Sequence, residues 1–105
     1  MRVTIGHQRS VEEVKKIVDR SIDDAFTGLG ALPIQIVDVK RTWEDNTMTF
    51  SMNAKVGFLN NPVRGTVAVT ATDVTVDADL GPLGKLLPED KAKALVESRV
   101  KGLIT

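Results

Sequence analysis

The longest regular pattern in the chain is an alternation of apolar and polar or small residues from Thr47 to Phe58. A period of two places successive side chains on opposite faces of a strand. The segment therefore predicts a β-strand with one buried face. The side chains of that buried row are Met48, Phe50, Met52, Ala54, Val56 and Phe58.

Two more segments continue the alternation, from Val63 to Ala71 and from Val74 to Leu80. A chain reversal is predicted at Asn60, Asn61 and Pro62, before the segment that begins at Val63. The reason is that Asn tolerates turn conformations and Pro cannot donate to a ladder. A second tight turn is predicted near residues 72–73. The three strands together predict an antiparallel meander with one apolar and one polar face.

Upstream, residues 34–43 are rich in β-branched side chains, but their alternation is irregular. This irregularity predicts either a bulge near Val37 or a strand buried on both faces. Residues 44–46 are typical of a turn, and residues 2–7 predict a short strand at a sheet edge.

Two segments show apolar residues at steps of three and four, which is typical of amphipathic helices. The first helix follows Ser10, which forms a capping-box pattern with Glu13. The second is predicted from Pro88, a favoured first helical residue, to about Leu103. The pattern predicts one α+β domain over residues 1–105. Its architecture is a two-layer sandwich, with four or five antiparallel strands and both helices packed on one face.

Composition narrows the range of functions. The 105 residues include 14 basic and 14 acidic side chains and no cysteine. A net charge of zero argues against nucleic acid as the main partner and is compatible with homo-oligomers. The absence of cysteine excludes disulfides and thiolate chemistry, and no segment has the apolar length of a signal peptide or a membrane span. We therefore expect a cytoplasmic, soluble protein.

Few residues are candidates for catalysis. His7 is the only histidine, and a lone imidazole is more often a partly exposed loop or edge residue than a proton-transfer group. Three aspartates share one strand face, where they could bind a cation or act as an acid/base pair. The simpler interpretation is a solvated face paired with Lys55 or Arg64. These aspartates are Asp73, Asp77 and Asp79. We predict no catalytic residue, metal site or cofactor.

Two apolar groups are candidates for binding. The first would pack as core or line a cavity for a hydroxyacyl or fatty acyl ligand between helices and sheet. It consists of Trp43, Phe50, Met52, Phe58 and Leu80. The second, in the Gly-rich segment 81–87, would plug one end of the sandwich or form an apolar surface contact. It consists of Leu83, Leu86 and Leu87.

Several stretches resemble the small bacterial proteins of the polyhydroxyalkanoic acid system family. They are RVTIGHQRSVEEVKKIVD, TWEDNTMTFSM, VRGTVAVTATDVTVDADL and GPLGKLL, which together span most of the chain. The resemblance implies association with polyhydroxyalkanoate storage granules. Because the family has no agreed active site, it implies no catalytic residue. The favoured hypothesis is a non-enzymatic accessory or binding protein whose partner is the granule surface or a granule protein. The alternative is a small acyl carrier.

Overall fold

A computed structural model describes residues 1–26, 34–85 and 88–104; for residues 22–26 and for Leu83 it describes only the backbone. Within these ranges the chain forms five strands and two α-helices, and a short 3-10 helix, Gly81–Lys85, precedes the second α-helix. In chain order the elements are β1 (Arg2–Gly6), α1 (Val11–Phe26), β2 (Gln35–Glu44), β3 (Thr47–Val56), β4 (Leu59–Val69), β5 (Asp73–Asp79) and α2 (Glu89–Ile104).

The strands form one open antiparallel sheet in the order β1-β5-β4-β3-β2. The predicted α+β fold, with an N-terminal and a C-terminal helix, is confirmed. The meander predicted from alternation is β3-β4-β5. The short strand β1 lies at one edge, as predicted, beside β5, and β2 forms the other edge.

The hydrophobic core lies between the helices and one face of the sheet. On β3 the predicted row is buried from Met48 to Ala54, and Val56 is half-buried. Helix α1 contributes Val14 and Val18. Four residues of α2 at steps of three and four complete the layer: Ala92, Val96, Val100 and Ile104. The apolar periodicity therefore identified the packed faces of strand and helix.

Both helix starts follow from local hydrogen bonding. The Ser10 hydroxyl accepts the backbone N–H of Glu13 at 3.2 Å, which is half of the predicted capping box. The Glu13 carboxylate instead pairs with Arg9 at 3.2 Å. At α2 the Pro88 carbonyl accepts the N–H groups of Lys91 and Ala92, both at 3.1 Å. Pro88 therefore lies one residue before the helix instead of in its first position.

The reversal between β3 and β4 was predicted at the wrong place. The chain turns at Gly57–Phe58, and residues 60–62 already belong to β4. Gly57 has a φ of 61°, a conformation that glycine adopts without steric cost. Pro62 is tolerated within β4 because pairing with β5 begins only at Arg64, so no ladder bond on that side is lost.

The irregularity predicted in β2 is a bulge. The pairing of β2 with β3 shifts between Val37 and Lys40, and Asp38 has a φ of 56°. Beyond the bulge, Arg41 and Trp43 stand opposite two buried residues of β3, so both side chains are on the helix side of the sheet. The extra residue thus brings polar groups of β2 within reach of α1.

Candidate binding surfaces

His7 is enclosed by backbone partners. Its side chain is buried, its Nε2 lies 2.8 Å from the Thr70 carbonyl oxygen, and its Nδ1 accepts the N–H of Arg9 at 3.1 Å. A neutral ring with its proton on Nε2 satisfies both contacts. His7 therefore ties the β1–α1 connection to the end of β4 and presents no free nitrogen to a substrate.

The three aspartates of β5 also have separate structural partners. Asp77 pairs with Arg2 of β1 at 3.1 Å, instead of with Lys55 or Arg64 as the sequence suggested. Asp79 accepts the N–H of Gly81 at 2.9 Å. Asp73 accepts the neighbouring Thr72 hydroxyl at 3.2 Å. Within the described ranges, no three acidic or histidine side chains lie close enough to share a metal ion.

The five residues expected to line a ligand cavity do not share one environment. Phe50, Met52 and Leu80 are buried, and Trp43 is half-buried at the core margin. Phe58 is fully exposed, so its predicted place on the buried face is wrong. The apolar–polar alternation in the sequence extends into the turn at residues 57–58. Phe58 therefore keeps the parity of the buried row, although its side chain no longer lies on the sheet.

The cavity between the two helices and the sheet has a volume of about 20 Å³. This is space for about one water molecule. None of the five predicted residues borders it; its walls include Val18, Val67, Val74, Val76, Val96 and Val100. In the part of the chain that the structure describes, this core does not hold an acyl chain without rearrangement.

Trp43 instead joins β2 to α1. Its Nε1–H donates to Asp19 at 3.0 Å, and the same carboxylate oxygen accepts the Nε–H of Arg41 at 3.1 Å. The Lys15 ammonium lies 5.2 Å from the centre of the indole ring, within cation–π range. The part of β2 that follows the bulge is therefore linked to α1 by the single carboxylate of Asp19.

Replacing Asp19 by alanine is expected to lower the free energy of unfolding by about 1 kcal/mol, because two donors lose a partly solvated acceptor. Chemical denaturation followed by the fluorescence of Trp43, the only tryptophan, measures both the stability and the indole environment. Lys16→Ala, on the exposed side of the same helix, is the control and should change neither by a comparable amount. Equal effects of the two substitutions would contradict the assigned role of Asp19.

The turn between β3 and β4 carries an exposed apolar group. We call residues 56–59 the hairpin tip. Phe58 is fully exposed and Leu59 is 56% exposed, whereas the half-buried Val56 pairs with Leu59 across the turn. The sequence signal that was missed is Gly57, the glycine at the end of an otherwise regular strand.

The sheet surface away from the helices is polar; we call it the open face. Across β2, β3 and β4, Thr42, Thr49 and Thr66 stand opposite one another. The row continues into the ion pair of Asp77 and Arg2. A second row, two residues along, consists of Glu44, Thr47, Ala68, Thr75 and Thr4. The first row is exposed at Thr42 and Thr49 and half-buried at Thr66.

A family model described as the polyhydroxyalkanoic acid system protein matches residues 1–104. The chain belongs to that family. The resemblance found in the sequence is thereby confirmed, and it extends over nearly the whole chain. No curated protein and no solved structure matches the chain.

Membership in the polyhydroxyalkanoic acid system family assigns no role to an individual residue. Among the helices that the structure describes, none has the length and apolar character needed to cross a membrane. The structure does not test the three leucines that were predicted to form a surface contact. Leu86 and Leu87 lie outside the described residues, and Leu83 is described only by its backbone in the 3-10 helix.

Proposed function

We propose that this member of the polyhydroxyalkanoic acid system family is a non-enzymatic accessory protein that binds the surface of cytoplasmic polyhydroxyalkanoate storage granules. The observation that carries the proposal is the apolar hairpin tip with Phe58 at its apex. Family membership supplies the chemical context, a polyester with an aliphatic character. Such a surface offers an apolar side chain a place away from water.

The tip is suited to contact because it is exposed and held in place. Antiparallel pairing of β3 with β4 extends up to Val56 and Leu59, so the turn is fixed by the sheet. Complete burial of one large apolar side chain is worth roughly 1.5–3 kcal/mol. Phe58 is fully exposed, so burying its ring against a partner would remove no packing from the core, and part of this free energy would appear as affinity.

The hydrogen bonds and ion pairs of the candidate acid–base residues support a binding role over a catalytic one. His7 uses both ring nitrogens in contacts with the backbone. Asp77 and Asp79 are held by Arg2 and by a backbone N–H. General acid–base catalysis needs a group within reach of a substrate proton, and these side chains are engaged in holding strands and turns together.

The test is sedimentation with isolated granules, comparing the chain with the double variant Phe58→Ser, Leu59→Ser. We expect the apparent dissociation constant to rise about tenfold or more, because the apolar contact is lost. Asn46→Ser, in the exposed turn between β2 and β3, is the matched control and should bind as the unmodified chain does. Unchanged binding of a correctly folded tip variant would remove the support for this contact.

The leucine segment remains a second predicted contact with the granule surface or a granule protein. A variant with Leu86→Ser and Leu87→Ser belongs in the same assay. If it alone loses granule binding while the tip variant keeps it, the contact lies in the segment 81–87 and not at the hairpin tip. Denaturation curves of both variants separate lost binding from lost folding.

A further inference from the structure

We propose that the open face binds polyester chains directly, through threonine hydroxyl groups that donate hydrogen bonds to ester carbonyl oxygens. The inference rests on the proposed function, since it names the ligand class that this family member would meet on a granule. It goes beyond the hairpin tip, because it assigns binding to a different surface with a different chemistry.

Because of the strand register, threonines that are distant in the sequence lie side by side in a regular array on the open face. Thr42, Thr49 and Thr66 are direct cross-strand neighbours. Adjacent strands lie about 4.8 Å apart, so the array presents three hydroxyls and three methyl groups at that spacing. Thr47 begins the next row two residues along β3, roughly 7 Å away. A chain with repeating carbonyl and alkyl groups can follow such an array.

The hydroxyls of this array are available as donors. On the described part of the open face, Thr4 and Thr75 bond to each other at 3.1 Å. The side-chain hydroxyls of Thr42, Thr49 and Thr66 have no hydrogen-bond partner among the described residues. Each threonine hydroxyl carries one donor proton that can be aimed by rotation of the O–H bond. Three free donors in one row favour a ligand that offers acceptors in sequence.

An aliphatic polyester has the complementary chemistry. Each repeat carries an ester carbonyl, which only accepts hydrogen bonds, and an alkyl group, and it carries no charge. The centre of the open face offers hydroxyl donors and methyl groups, whereas Glu44 lies at the β2 edge and the Asp77 charge is paired with Arg2. The adjacent row adds Arg64 and Lys40 as further donors on either side of Ser51. A ligand without acceptors would leave these donors unsatisfied, which costs free energy on burial.

The experiment measures adsorption of the full chain to protein-free polyhydroxyalkanoate particles. The variant Thr42→Val, Thr49→Val, Thr66→Val removes three hydroxyls and keeps the side-chain shape and the β-propensity. We expect its dissociation constant to rise about tenfold or more. The matched variant Thr42→Ser, Thr49→Ser, Thr66→Ser keeps the hydroxyls and should stay within about threefold of the unmodified chain. Polypropylene particles, which have no carbonyl, should reverse this order and bind the valine variant at least as tightly as the serine variant, because valine is the more apolar side chain.

The outcomes separate this inference from the proposed function. If the chain binds native granules but not protein-free polyester, the inference is overturned; granule binding itself stands, and the contact of the hairpin tip is then with a granule protein instead of with the polyester. If the valine variant, shown to be folded by its denaturation curve, binds polyester as tightly as the unmodified chain, the inference is likewise overturned. If the chain sediments as a dimer that the valine variant dissociates, the open face is a contact between copies and the polyester assignment is wrong.

Discussion

Replacing Gly65 by alanine is expected to lower the free energy of unfolding by about 3 kcal/mol. Gly65 lies on the buried face of β4, opposite Phe50 of β3 and Ala78 of β5. A Cβ atom there would overlap the carbonyl oxygen of Asp77 and would lie 2.8 Å from the Cα of Ala78 and 3.0 Å from Cζ of Phe50. Two of these three atoms belong to the backbone of the neighbouring strand, so β4 and β5 would have to move apart.

Urea denaturation measures this loss, and Gly102→Ala is the matched control. Gly102 lies within α2, and a Cβ added there would meet no atom within 4 Å. Since alanine favours the helix over glycine by roughly 0.5–1 kcal/mol, the control should be neutral or stabilising. Trimming Phe50 in the Gly65→Ala background should not restore stability, because the closest contacts are with backbone atoms. A loss below about 1 kcal/mol for Gly65→Ala would contradict this packing.

Alternation of apolar and polar residues was enough to predict the buried face of β3 and the strands of the meander. It failed at the turn between β3 and β4 because Phe58 keeps the parity of the strand after the backbone has left the sheet. The bulge in β2 could be anticipated because the apolar residues change parity near Val37. A period of two identifies a face, but it does not show where the ladder ends.

The contacts that define the surfaces depend on pairing between distant segments, which periodicity does not encode. The pairing of β1 with β5 brings Arg2 to Asp77 across 75 residues of sequence. From the sequence, Lys55 and Arg64 were predicted as partners of the β5 aspartates, because they are basic residues on strands that were predicted to belong to the same meander. Likewise, the sequence predicted a polar face that contains threonines, but it did not show that they are neighbours. The strand register places Thr49 between Thr42 and Thr66.

His7 illustrates the same limit for chemistry. From the sequence, a catalytic role for the lone histidine could be judged only from its residue type and from its position before a helix. Its two hydrogen bonds, to the carbonyl of Thr70 and from the N–H of Arg9, depend on β1 and the end of β4 lying side by side. One partner is local and could be found from a short loop, whereas the other lies 63 residues away and needs the fold.

Alanine substitutions at Phe50 and Phe58 are expected to differ sharply, although one alternation pattern placed both side chains in the same row. Phe50 is buried at 1% exposure, and its removal should cost about 3–5 kcal/mol because a cavity opens beside Gly65. Phe58 is fully exposed, and its removal should change stability by less than about 0.5 kcal/mol.

Urea denaturation of the two variants, run beside the granule assay, separates packing from binding. Phe58→Ala should keep the unfolding midpoint of the unmodified chain while binding granules more weakly, since its ring contacts no core residue. A large loss of stability for Phe58→Ala would mean that the ring packs against the protein, and the tip would then be part of the fold. An unchanged unfolding midpoint together with weaker granule binding would support the proposed contact, because Phe58 is exposed at the apex of a paired hairpin and not packed in the core.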